Sequence, residues 1–332
     1  MKGLLQFLKE RSGIEIFIFA GKGGLGKTTC SSAVAYHLAT VEKLRTLLFS
    51  TDPQASLSDI FERDFYGKGV TEILPNLSVV EIDADRRVAD YQEEIKRKIK
   101  QMYGLDEIPA EIDEYIDSTS AEPAMYESAT YDAMAELVAK RDFERYIFDM
   151  PPFGHGVRMV AMAEILSKWV DKITEAREKV REYEEVAATL KGEAVGQDEV
   201  MNELLDIRNK IRTFTDLITD SKRTAFFMVL IPEQMAILDT ERALTMFEDL
   251  GIKMSGLVVN QVYPPELLQR AGLSDFLKSR IEMQQRYLGT IKQKFGPHLM
   301  GLLQMYPREP KGLTMIANVA ADLMRSDSFL TA

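Results

Sequence analysis

Residues 14–28, reading IEIFIFAGKGGLGKT, leave this chain few ways to fold. The run from Ile14 to Ala20 is β-branched and aromatic, the composition of a buried strand. From Thr28 onward, Ala33, Ala35 and Leu38 recur at helical spacing. Between strand and helix lie Gly21, Gly23, Gly24 and Gly26. Glycines remove side chains, so successive backbone N–H groups and the positive end of the following helix converge on one anionic group. Gly21, Gly26, Lys27 and Thr28 have the spacing of a phosphate-binding loop. Lys27 is placed to reach the β- and γ-phosphates of a nucleotide, Thr28 to offer its hydroxyl to Mg2+, and Thr29 to reach the α-phosphate. Lys22 adds a second positive charge one residue into the loop, which suits charge developing in phosphoryl transfer. The chain therefore reads as an ATPase that uses ATP and Mg2+.

The rest of the chain supplies the scaffold such a loop needs. Further strands are expected at Thr46–Phe49, Leu77–Ile82, Arg145–Phe148, Ala225–Ile231, Met254–Asn260 and Leu302–Tyr306. Strands separated by helix-length connections give an α/β fold with a doubly wound, mostly parallel sheet. Ligands then bind at the carboxyl ends of the strands. Residues 84–140 and 160–222 break this rhythm and read as helices throughout. We expect a P-loop core from residues 1–83, 141–159 and 223–332. The two helical insertions fold together as a subdomain that handles a partner or cargo.

Composition narrows the function. The formal net charge of -11 disfavours nucleic acid as a partner, because phosphate-backbone binding needs concentrated Lys and Arg. Cys30 is the sole cysteine, so no zinc or iron–sulfur site can be built from cysteines within the chain. A lone thiol also fits a reducing, cytoplasmic setting, with any membrane association transient and made through a partner. No run approaches the roughly 20 apolar residues of a membrane span. The N-terminal patch Leu4, Leu5, Phe7 and Leu8 is cut off by Lys9, Glu10 and Arg11, and reads as a lead-in helix packed on the body.

With KGGLGKTT in hand, the chain resembles the deviant P-loop ATPases, whose signature lysine precedes two glycines. Within them it is similar to the branch of arsenite-pump ATPases and ATPases that target tail-anchored proteins. Four segments carry the resemblance. STDPQASLSD, residues 50–59, resembles the family's first switch and implies that Asp52 positions or activates water near Mg2+, with Ser56 and Asp59 beside it. Ala55 stands where the family usually has histidine. DMPPFGHGVR, residues 149–158, resembles the second switch. It implies Asp149 as a carboxylate on the Mg2+ side and Gly154 as a γ-phosphate sensor, with His155 and Arg158 on matching positions. VVNQVYP, residues 258–264, implies adenine recognition by Asn260, and YPREPKGL, residues 306–313, implies that Pro307 and Glu309 close over the base. The stretch 229–244 places Glu233 and Glu241 toward a neighbouring subunit.

The resemblance further implies a homodimer in which Lys22 completes the other subunit's site, acting on a protein client or membrane complex. The missing cysteines remove the zinc pair of the targeting branch and the thiolates that arsenite would need. Two other readings remain open: a membrane- or DNA-positioning ATPase of the same class, and a nucleotide-binding module without hydrolysis. Against the first, the tail LMRSDSFLTA carries no basic helix.

Overall fold

The computed structural model describes residues 3–50, 56–103, 105–118, 123–150, 168, 170–183 and 199–325. Its strands are β1 (Ile16–Ala20), β2 (Thr46–Ser50), β3 (Thr71–Leu74), β4 (Leu77–Glu81), β5 (Arg145–Asp149), β6 (Thr224–Leu230), β7 (Met254–Val262) and β8 (Leu299–Gln304). The helices are α1 (Leu4–Glu10), α2 (Lys27–Thr40), α3 (Ser56–Phe61), α4 (Ala84–Tyr103), α5 (Ala110–Ser118), α6 (Pro123–Ala139), α7 (residues 170–183), α8 (Glu199–Thr219), α9 (Gln234–Asp249), α10 (Asp275–Phe295) and α11 (Gly312–Arg325). By internal contacts the chain divides into two compact units. One comprises Met1–Asp83, Arg141–Val157 and Ile218–Ala332; the other comprises Ala84–Lys140 and Arg158–Leu217.

The first unit is built on one sheet in the order β3-β4-β2-β5-β1-β6-β7-β8, parallel except for the β3–β4 pair. From β1 the chain progresses to one edge, ending at β3 and β4, then returns through β5 and runs from β6 to β8 at the other edge. The end of β1 thus lies where the winding reverses, the position at which sheets of this kind leave a crevice. Every residue of β1, β2 and β6 is buried, as strands covered on both faces must be.

Phe227 on β6 anchors this core. It stacks on Phe17 and Phe19 of β1 and meets Phe7 of α1 edge to face, with centroids 5.5 Å apart. The lead-in helix therefore packs on the body as expected, with Leu4, Phe7 and Leu8 buried. Phe227→Ala should destabilise the protein by about 3–5 kcal/mol, because three rings lose their partner in the buried core. Urea unfolding followed by tryptophan or circular-dichroism signal reads this directly.

Three local features depart from the expected strands. β3 was not anticipated: it is short, half-exposed and carries a glutamate, so it lacks the apolar signature of an inner strand. The Pro75–Asn76 turn creates it, with Asn76 in the left-handed conformation that asparagine tolerates. β8 begins three residues before the expected Leu302, since Gly301 interrupts the apolar run while Leu299 already pairs with Leu257. β7 runs on to Val262 through an irregular register that matters for the site.

The second unit is helical and laced with charge. Arg87 of α4 bridges Asp132 and Glu136 of α6, and Lys96 bridges Asp113 and Asp117 of α5. Lys210 of α8 pairs with Asp132 as well. Its interior holds Tyr131, whose hydroxyl donates to the Ile211 carbonyl at 3.1 Å and whose ring meets Phe214 edge to face. Among the described residues no helix is long and apolar enough to cross a membrane.

Candidate nucleotide site

The loop between β1 and α2 takes its shape from two left-handed glycines, Gly24 at φ 75° and Gly26 at φ 90°. A side chain at Gly26 is excluded twice, since an added Cβ would also sit 2.0 Å from the Asn260 amide nitrogen. At Gly21 a Cβ would meet the Val229 carbonyl of β6 at 2.5 Å, so this glycine lets the loop start flush against the neighbouring strand. Gly23 lies exposed in the turn between them. α2 then starts at Lys27 and points its N-terminus into the loop. Buried Ser31, Ser32, Ala33, Ala35 and Ala39 let α2 nest against the sheet and α11.

The two loop lysines part company. Lys27 is 5% exposed, and its Nζ turns inward to donate to the Lys22 carbonyl at 3.2 Å. Lys22 leaves outward, with Nζ 2.9 Å from Asp239 Oδ2 on α9. That pair is half in solvent, so it contributes no more than about 1 kcal/mol and is readily broken. Next to Lys27, Thr28 Oγ1 donates to Asp149 Oδ2 at 2.6 Å. Asp149, 1% exposed, ends β5 directly beside β1. A hydroxyl keeps lone pairs after donating, so Thr28 and Asp149 together offer oxygen ligands, the donor type a hard cation such as Mg2+ takes. Thr29 stands one residue on in the first turn of α2, half-buried.

At the opposite end of the loop, Asn260 Nδ2 donates to the Leu25 carbonyl at 2.9 Å. The amide oxygen is not used in that bond and keeps its capacity as an acceptor. Pro307 lies exposed between β8 and α11. The neighbouring ties in that connection are Lys311 to Glu309 at 3.1 Å and the Tyr306 hydroxyl to Asp322 at 2.7 Å. Burial, with the Asp322 carboxylate beside it, pushes the Tyr306 phenol well above its ordinary pKa, so it stays a donor. Glu233 and Glu241 are each held within the chain, by Arg280 and Lys294. Asp52, Gly154, His155 and Arg158 lie outside the described residues. Cys30 is fully buried in α2, and burial pushes its thiol up to about 12, which keeps it protonated and inert.

Two residues here escaped sequence reasoning. Asp239 carries no signal of its own, being one acid among several along residues 239–249. Glu81 ends β4 at 1% exposure and accepts hydrogen bonds from Leu57 N at 2.7 Å, Ser58 N at 3.2 Å and the Ser58 hydroxyl. It thereby fixes the start of α3, the helix that follows residues 51–55, while Ser50 and Ser56 hydroxyls lie 3.3 Å apart across that segment. A charge closing the apolar run LSVVE was the available signal.

A profile described as anion-transporting ATPase matches residues 14–325, nearly the whole chain. The chain belongs to the anion-transporting ATPase family. It is 30% identical over 284 residues to the putative arsenical pump-driving ATPase 2 of Aquifex aeolicus, covering 85% of this chain and 90% of that protein. Similarity to the putative arsenical pump-driving ATPase of Halobacterium salinarum is also 30%, over 311 residues and 93% of this chain, but only 44% of that longer protein. With ATPase GET3A of Arabidopsis thaliana the identity is 27% over 313 residues, 93% of this chain and 83% of the relative. Membership of the anion-transporting ATPases implies ATP binding and hydrolysis, and the glycine loop of this member has the form that chemistry requires.

Proposed function

We propose that this anion-transporting ATPase hydrolyses ATP with Mg2+, and that two copies close face to face over nucleotide to act on a protein or membrane-complex partner. The observation that carries this reading is the convergence of buried Lys27, the left-handed glycine turn and the Thr28–Asp149 pair at the mouth of β1 and β5. When bound, Mg2+ supplies positive charge shared between phosphate oxygens. The chain's own residues do the rest. Backbone N–H groups of Gly21, Gly23, Gly24 and Gly26 bind phosphate, Lys27 turns its ammonium to the terminal phosphates, and Thr29 reaches the α-phosphate. Thr28 and Asp149 hold the metal side, and Asn260 accepts from the adenine amine while Pro307 closes over the base. Asp52 orients the attacking water and shares the metal side; Gly154 reports the γ-phosphate.

Lys22 belongs to the partner copy's site. Its ammonium reaches Asp239 of α9 while that of Lys27 turns back to the Lys22 carbonyl, and the exposed Asp239 pair holds it only weakly. A charge delivered on closure stabilises the transferring group only in the assembled state. The helical unit is the surface that would move with closure and meet the client.

Phosphate release from ATP tests the core of the proposal. Asp149→Asn should raise the Mg2+ concentration for half-maximal release at least about tenfold, since a charged ligand becomes neutral. Undiminished release in excess chelator by the wild-type protein would sink the Mg2+ assignment.

A further inference from the structure

Consecutive residues of a strand point to opposite faces of the sheet. Asn260 and Gln261, adjacent on β7, do not: both side chains reach the same glycine loop. Asn260 Nδ2 donates to the Leu25 carbonyl at 2.9 Å and Gln261 Nε2 to the Gly24 carbonyl at 3.4 Å. The backbone explains how. Gln261 is left-handed, with φ 56°, and the β7–β8 register shifts between Val259 and Val262. Such a bulge re-aims a side chain that a regular strand would send away. Glutamine has no intrinsic liking for this conformation, so something must hold it there.

Gln284 does so. It is 5% exposed on α10 and spends both ends of its amide on the bulge. Its Oε1 accepts from Tyr263 N at 2.9 Å, and its Nε2 donates to the Gln261 carbonyl at 3.1 Å. These two bonds bracket the left-handed residue from a helix that itself makes no described hydrogen bond to the glycine loop. We propose that Gln284 is a positioning residue for nucleotide binding: it pins the bulge at Gln261, and the bulge in turn brings Asn260 and Gln261 onto the carbonyls of Leu25 and Gly24, respectively. The inference rests on the reading of residues 21–28 as the phosphate loop and deepens it by naming what holds the loop's far flank.

The test is a mutant cycle read by titration of ATP and of GTP, each with Mg2+, onto the full chain. Gln284→Met keeps volume and removes both bonds, and should weaken ATP binding about tenfold. Gln284→Glu keeps the acceptor for Tyr263 but sets a carboxylate oxygen against the Gln261 carbonyl, so it should weaken ATP binding at least as much as Met, and serves if the Met variant does not fold. Glycine adopts the left-handed state unaided, so in the Gln261→Gly background Gln284→Met should cost less than about threefold. An equal loss in both backgrounds, or a lowered Tm with unchanged ATP affinity, would overturn the inference. Asn260→Ala separates this from the adenine assignment. Loss of the preference for ATP over GTP supports that assignment, and an unchanged preference rejects it; in either case the Gln284 cycle still decides the inference through overall affinity.

Discussion

Lys27→Ala should bind ATP at least about 100-fold more weakly and release phosphate about 1000-fold more slowly, with the fold intact. The size of the effect follows from placement. The ammonium is buried at the base of the loop, where low effective dielectric makes one charge worth far more than at the surface. Its described bond is to the Lys22 carbonyl, and among the described residues no acid holds it. That same fact predicts the unchanged fold, because a buried cation that pairs with no described carboxylate contributes little to stability. Calorimetric titration with ATP gives the affinity, and a thermal melt beside wild type gives the control. Binding within about threefold of wild type would remove Lys27 from the phosphate site. A collapse of Tm would instead assign it to structure.

The second large effect is a recovery. Lys22→Ala and Asp52→Asn should each lose about 1000-fold in turnover, the range of a charge supplied in trans or of a lost water-orienting group. Mixed in equal amounts, the two inactive proteins should regain roughly one quarter of wild-type activity, because half the dimers are mixed and each has one complete site. If Lys22 acted on its own chain's nucleotide, each site in a mixed dimer would lack one group and no activity would return. Cross-linking shows whether mixed dimers form, so a null result stays interpretable. The Asp239 pair supplies an internal check. Asp239→Asn frees Lys22 from its only described side-chain acceptor, and should not reduce turnover if that contact is merely where the ammonium rests.

How much of this was legible in the sequence follows from the range of the interactions. The glycine loop was readable because its demands are local. Positive φ at Gly24 and Gly26, a strand before and a helix after are properties of neighbours along the chain. The sheet was readable because buried parallel strands are apolar throughout, as β1, β2 and β6 are. β3 was not, because an edge strand half in water needs no such signature and exists through its turn.

At the site, the sequence by itself determined the residue types and their order: a phosphate loop, an acid ending β5, an asparagine ending a later strand. Only the tertiary structure decided who touches whom. Thr28 and Asp149 lie 121 positions apart, and Lys22 and Asp239 lie 217 apart. Gly26 had to be glycine partly because Asn260 arrives from across the sheet. Gln261 and Gln284 carried no local mark at all, and Glu81 only its place at the end of the apolar run LSVVE, since a glutamate or glutamine reads the same in solvent as in a cap or a clamp. For Glu81 and Gln284 the role comes from burial, which makes an unpaired polar atom costly; part-exposed Gln261 owes its role to the bulge that re-aims it.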